Sequence, residues 1–151
     1  LKMCGILGVV VNKMSVDVIR NLYNIFAFQS GRGVQGGGIS INNNSLLRFR
    51  SYSPYRVFAI YNSQIWRQVK NNSRVMFHHR FPTSTPNAPR FNHPIQNEDK
   101  TIHLIHNGII QNDDYLFKSL KNTHKFETAE GRAYTDSEVL LHLFEEHLEG
   151  V

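Results

Sequence analysis

Cysteine is almost missing from this chain of 151 residues: Cys4 stands alone. A single thiol excludes an intramolecular disulfide and fits a reducing compartment, so a cytoplasmic location is expected. Long apolar runs are missing too. No stretch approaches the roughly 20 residues that a bilayer-spanning helix needs. Gly5–Val11 is too short for a secretory signal, and no small-residue cleavage site follows it. Runs of one charge are also missing. The net charge is +5, and the positive residues are scattered, among them Lys13, Arg20, Arg32, Arg48, Arg50, Arg56, Arg67, Lys70, Arg74, Arg80 and Arg90. Scattered charge of this kind disfavours a nucleic-acid module and reads as solubility, or as docking towards an acidic partner. The eight histidines show no ligand spacing, and adjacent His78 and His79 point to opposite sides of a strand. No metal and no cofactor are expected.

What is present is a globular composition, 40% hydrophobic, in a length that suits one domain with one core. Cys4–Val11 is continuous, apolar and β-branched, which predicts a buried strand. Ser15 caps a helix whose face carries Val16, Ile19, Leu22, Tyr23 and Phe26. Ser30–Gly38 holds five of the ten glycines and predicts a tight loop. Gly38–Ile41 and Leu46–Arg50 flank Asn42-Asn43-Asn44 as a hairpin. Val57–Tyr61 predicts a strand, Gln64–Lys70 a short helix, and Val75–His79 a strand. A proline-punctuated loop runs from Pro82 to Pro94. Thr101–His106 predicts a strand ending at the turn Asn107-Gly108. A helix opens at Asp113 or Asp114. Thr135 and Glu138 form a capping box before a last helix with the apolar stripe Val139, Leu140, Leu143, Phe144 and Leu148. Strands and helices mix without strict βαβ alternation, so the class is α+β.

The position of Cys4 carries the chemistry. A cysteine that becomes the first residue holds both a nucleophile and its base, because the α-amino group can take the thiol proton. Their ordinary pKa values, roughly 8.5 and 7.7–8.0, are well matched near neutral pH. This requires removal of Leu1-Lys2-Met3. The alternative is a small hydrophobe entering a buried strand.

Further segments then follow in order: Cys4-Gly5-Ile6-Leu7-Gly8, Arg32-Gly33, His78-His79-Arg80-Phe81-Pro82-Thr83, Asn92-His93-Pro94, His106-Asn107-Gly108-Ile109-Ile110 and Thr135-Asp136-Ser137-Glu138. Together they resemble the glutaminase domain of class II glutamine amidotransferases, which are N-terminal-nucleophile hydrolases. The resemblance covers residues 4–151. It implies a four-layer αββα sandwich, here shortened at its C-terminal end, behind a leader of residues 1–3. It also implies hydrolysis of the glutamine side-chain amide through a Cys4 thioester, with ammonia passed to a synthase domain or subunit. Under that resemblance, Asn107 and Gly108 hold the oxyanion, and Arg80 grips the substrate α-carboxylate. Phe81 and Thr83 line the pocket, Asp136 meets the α-ammonium group, and Arg32 supports the geometry near Cys4.

Each assignment has a plainer alternative. Asn107-Gly108 serves equally as a turn, Arg80 as a surface salt-bridge partner, and Asp136 as an acid stabilising a helix N-terminus. Gln35 stands where relatives carry Asp. Ammonia acceptors differ between branches: fructose 6-phosphate, phosphoribosyl pyrophosphate, aspartate or 2-oxoglutarate. The loop His79–Pro86 is most similar to the glutamate-synthase type. No membrane partner is expected, and a homo-oligomer is compatible with the sequence. The competing reading is a catalytically silent binding or regulatory module that keeps its leader.

Overall fold

The computed structural model describes residues 3–54, 65–81, 87–128, 134–148 and 150. The chain forms two compact units, Leu1–Pro94 and Ile95–Val151. In the first, β1 (Gly5–Val11) leads into α1 (Val16–Ser30), then β2 (Gly37–Asn42), β3 (Leu46–Ser51) and β4 (Ser73–His79). These strands make one antiparallel sheet in the order β1-β4-β2-β3. Ser15 caps α1, accepting from the Val18 N–H at 3.2 Å. That satisfies one of the donors a helix start leaves open.

The core of this unit is built where α1 meets the sheet. Phe26 and Phe77 meet edge to face with ring centroids 5.0 Å apart, and Ile39, Ile41, Val75 and Trp66 close around them. Leu22 and Phe26 turn inward as the sequence predicts, whereas Val16 and Tyr23 stay exposed. β1 is not buried on both faces. Leu7, Val9 and Val11 pack on the core, while Ile6 and Val10 face outward. The apolar run therefore overstated the burial of this strand, because a pleat puts alternate residues on opposite faces. In place of the helix expected over residues 64–70, only a single 3₁₀ turn, Trp66–Gln68, forms. The strand expected over residues 57–61 lies outside the described residues.

The second unit holds the short antiparallel pair β5 (Ile95–Gln96) and β6 (His103–Leu104), then α2 (Asp113–Ser119) and α3 (Asp136–Leu148). Mixed helices with antiparallel sheets give the α+β class. α3 departs from its predicted stripe. Val139 and Leu141 are buried, but so are Ser137, Glu138, His142, Glu145 and Glu146, whereas Phe144 and Leu148 are exposed. The reason lies in the loops. With strands only two residues long, many backbone N–H groups have no ladder partner and must be satisfied otherwise. Carboxylates of α3 do this: Glu146 accepts from the N–H groups of Lys121 and Asn122 at 2.8 and 2.7 Å. Glu138 accepts from the N–H groups of Glu127 and Thr128 and from the Thr128 hydroxyl. The predicted capping box therefore does not form. Glu138 serves the loop, and the Thr135 N–H donates to the Thr128 hydroxyl at 3.2 Å instead.

His79 ends β4 fully buried, its ring 4.1 Å from that of Phe26, with no hydrogen-bond partner for either ring nitrogen among the described residues. Burial lowers its pKa from 6.5 to about 4. The unfolded chain then binds a proton near pH 6.5 that the folded chain refuses until about pH 4, so stability is full above that window and falls through it on acidification. The loss is on the order of 3 kcal/mol. Urea unfolding at about pH 7 and about pH 4.5 should show a smaller acid-induced loss in His79→Leu than in the parent. Parallel losses would mean that His79 is charged in the folded protein.

Candidate active site

The glycine-rich loop after α1 is shaped to let one backbone approach another. A Cβ on Gly33 would lie 2.6 Å from the carbonyl carbon and oxygen of Arg80, and one on Gly38 would lie 2.2 Å from the carbonyl oxygen of His93. Neither space admits a side chain. The close approach lets the loop pair with the end of β4: the Arg80 N–H donates to Gly36 O at 2.8 Å, and the Gln35 N–H to Arg80 O at 3.3 Å.

Cys4 lies just before β1, whose first residue Gly5 is opposite His79. The chain beyond His79 therefore runs past Cys4. Its half-buried Sγ accepts from the Phe81 N–H at 3.3 Å and lies 3.6 Å from the Phe81 carbonyl. Arg32, exposed on the loop, donates from Nε to the Cys4 carbonyl at 3.4 Å. Arg80 is buried at 4% exposure, so it is not a surface ion-pair residue. Desolvation lowers its pKa, partly offset by the Cys4 charge, and the guanidinium remains protonated at any working pH. One of its nitrogens donates to Asn92 Oδ1 at 3.3 Å, and its carbon lies 5.7 Å from the Phe91 ring centroid. Asn92 is itself held, donating to Ser51 O at 2.7 Å. Cys4, Arg32, Arg80 and Phe81 thus gather in the first unit. Thr83 lies outside the described residues.

The second unit gathers the others. Asn107 and Gly108 form an exposed turn after β6. Two bonds tie this turn to the start of α3. Asp136 Oδ2 accepts from the Ile110 N–H at 2.7 Å, and His106 Nδ1 lies 3.0 Å from the Ser137 hydroxyl. Asp136 Oδ1 also accepts from the Ser137 N–H at 2.7 Å. The Ser137 hydroxyl lies 3.3 Å from the same oxygen; an ionised carboxylate offers about four acceptor positions, so these three bonds do not exhaust it.

Sequence reasoning assigned no role to three groups that the structure brings beside these residues: the Phe81 N–H, the Asn92 amide and the Ile110 N–H. Backbone donors carry no side-chain signature. Asn92 was visible only as the neighbour of His93-Pro94, a pair joined here by a cis peptide bond.

The loop geometry makes a prediction. Gly33→Ala must push backbone against backbone, which typically costs about 1–3 kcal/mol. Gly31→Ala is the control, since its nearest neighbour would be Phe28 O at 3.7 Å. Urea unfolding should show a clear loss for the first and little for the second. Equal losses would mean that the loop does not depend on close approach at Gly33.

Comparison with known proteins adds an independent line. A family model described as a glutamine amidotransferase domain matches residues 78–151. Glutamine–fructose-6-phosphate aminotransferase (isomerizing) of Thermococcus kodakarensis is 31% identical over 150 residues, 98% of this chain and 23% of that protein. The enzyme of the same name from Thermus thermophilus is also 31% identical, over 153 residues, with 98% and 23% covered. Asparagine synthetase (glutamine-hydrolyzing) 1 of Arabidopsis thaliana is 40% identical over 78 residues, 52% of this chain and 12% of that protein. The chain thus spans about a quarter or less of the length of these relatives, and their names are not those of the glutamate-synthase branch suggested by the loop at His79–Pro86. Among the described residues no helix is long and apolar enough to cross a membrane.

Proposed function

Because the chain belongs to the class II glutamine amidotransferases, we propose that it hydrolyses the side-chain amide of glutamine with Cys4 as nucleophile, once Leu1-Lys2-Met3 is removed. As the chain is written, the Cys4 nitrogen is an amide bonded to Met3 and has no basicity to offer. Removal frees an amine on the same residue as the thiol.

The reaction then balances in two halves. The amine takes the thiol proton, and sulfur attacks the amide carbon, turning its carbonyl into an oxyanion. The Asn107 side-chain NH₂ and the Gly108 N–H are the donors for that charge. Collapse of the intermediate expels the amide nitrogen, which leaves as ammonia with the proton held by the amine, and a thioester remains. Water, deprotonated by the same amine, attacks the thioester to give glutamate and restore the thiol. Arg80 binds the α-carboxylate through its planar fork, a geometry that a lysine lacks. Phe81 and Thr83 line the pocket, Asp136 meets the α-ammonium group, and Arg32 holds the Cys4 carbonyl. The ammonia passes to an acceptor at a synthase domain or subunit.

The observation that most supports this reading is the juxtaposition at Cys4. Its sulfur faces the Phe81 N–H directly after a buried arginine. A silent module that retains the leader is the second reading.

The test compares protein beginning at Cys4 with protein that keeps residues 1–3. Only the first should release ammonia from glutamine and take up one equivalent of a thiol-reactive glutamine analogue at Cys4. Cys4→Ala should abolish both. Asn107→Ala should lower kcat by about 10²–10³, and Arg80→Lys should chiefly raise KM. Full activity in the protein that retains its leader would refute the amine-base mechanism. Unchanged constants in Arg80→Lys would refute the carboxylate clamp.

A further inference from the structure

The second unit contains a side-chain cluster that the proposed reaction does not use. Glu98, His124, His142 and Glu145 each offer one ligand atom, and these atoms all lie within 4.8 Å of one another. They come from the loop after β5, the loop after α2, and α3. His124 Nδ1 is 3.3 Å from Glu98 Oε1 and 3.4 Å from Glu145 Oε2, and His142 Nδ1 is 2.8 Å from Glu145 Oε2. Ligands at about 2.0–2.2 Å from a tetrahedral zinc ion are separated from one another by roughly 3.3–3.6 Å. Two of these distances already fall in that range.

The electrostatics also call for a cation. Glu145 and Glu146 are each only 4% exposed and His142 is fully buried. The rings of His124 and His142 stack with centroids 4.3 Å apart. Nearly buried carboxylates such as those of Glu145 and Glu146 are ordinarily paired or bound to metal. A divalent cation between these carboxylates and the two imidazoles would be such a partner.

The surrounding groups are arranged as metal sites arrange them. His124 Nε2 is 3.0 Å from Glu146 Oε1. A proton on Nε2 donated to that carboxylate leaves the Nδ1 lone pair free to face a metal. Asn97 donates to the other oxygen of Glu145 at 2.6 Å, and the Lys125 N–H donates to the other oxygen of Glu98 at 2.5 Å.

We propose that Glu98, His124, His142 and Glu145 form a closed, structural zinc site that fastens the loops around residues 98 and 124 to α3. The set of two nitrogens and two oxygens, with four protein ligands and no position left open, suits a structural zinc rather than magnesium or calcium. No motif in the sequence marks it, because the ligands come from three separate segments and form no compact spacing.

The test uses the full chain, stripped with a chelator and titrated with zinc alone. One equivalent should bind and raise Tm, and cobalt in its place should give the intense visible absorption of a tetrahedral complex. Glu98→Gln, on the more exposed edge of the cluster, should lose most of the affinity while remaining folded. Glu146→Gln should weaken binding by about 10–100-fold through His124. Cys4→Ala should bind as the parent does, which separates this site from metal capture by the thiol and separates this outcome from that of the amide-hydrolysis reading. Absence of stoichiometric zinc binding, or equal affinity in parent, Glu98→Gln and Glu146→Gln, would overturn the proposal.

Discussion

The first unit is organised around the meeting of Cys4 with the backbone of Phe81. That contact exists only because β1 and β4 pair antiparallel with Gly5 opposite His79. A slip of one residue would turn the side chains of β4 to the wrong faces, moving Phe77 out of the core and His79 out of its buried position. The hydrophobic register therefore also sets the position of the sulfur. The core around Phe26 and Phe77 stabilises the unit, and the same core determines where the chain following β4 can go.

A second constraint follows from the first. For Arg80 to leave β4 buried and still keep its backbone paired, another chain segment must come close. The loop 31–38 does so at Gly33, Gly36 and Gly38, where side chains would collide with Arg80, Asn92 and His93 respectively. The glycines are thus a packing requirement before they are anything else. Asn92, seated on that loop, then orients the guanidinium. Burial, loop composition and the aim of one cation are linked by contact rather than by any long-range effect.

Much of this was legible in the sequence where short-range physics decides the outcome. The Ser15 cap, the hairpin around Asn42–Asn44 and the strand ending at His79 all rest on local chemistry, and the described structure contains each. The gathering of Cys4, Arg80 and Phe81 was reached through the order of motifs and not through periodicity. What stayed hidden was set by tertiary demand. The repeat of Val139, Leu140, Leu143, Phe144 and Leu148 at helical spacing predicts an apolar stripe on α3, of which Val139 is buried whereas Phe144 and Leu148 are exposed. The observed face is chosen instead by loop N–H groups that need acceptors, and those loops have almost no strand to satisfy them. Glu138 looked like a capping residue for the same reason: spacing reports what is near in sequence, whereas its partners Glu127 and Thr128 are brought to it by folding.

In the proposed reaction, sulfur, guanidinium and carboxylate act on one bound glutamine. A crystal structure of the protein beginning at Cys4, reacted with a thiol-directed glutamine analogue, tests it most directly. The expected adduct has a covalent bond from Sγ to the analogue, its α-carboxylate on Arg80, its α-ammonium on Asp136 and its former carbonyl oxygen towards Asn107 and Gly108. An adduct whose carboxylate lies away from Arg80, or a sulfur left unmodified within hydrophobic packing, would contradict it.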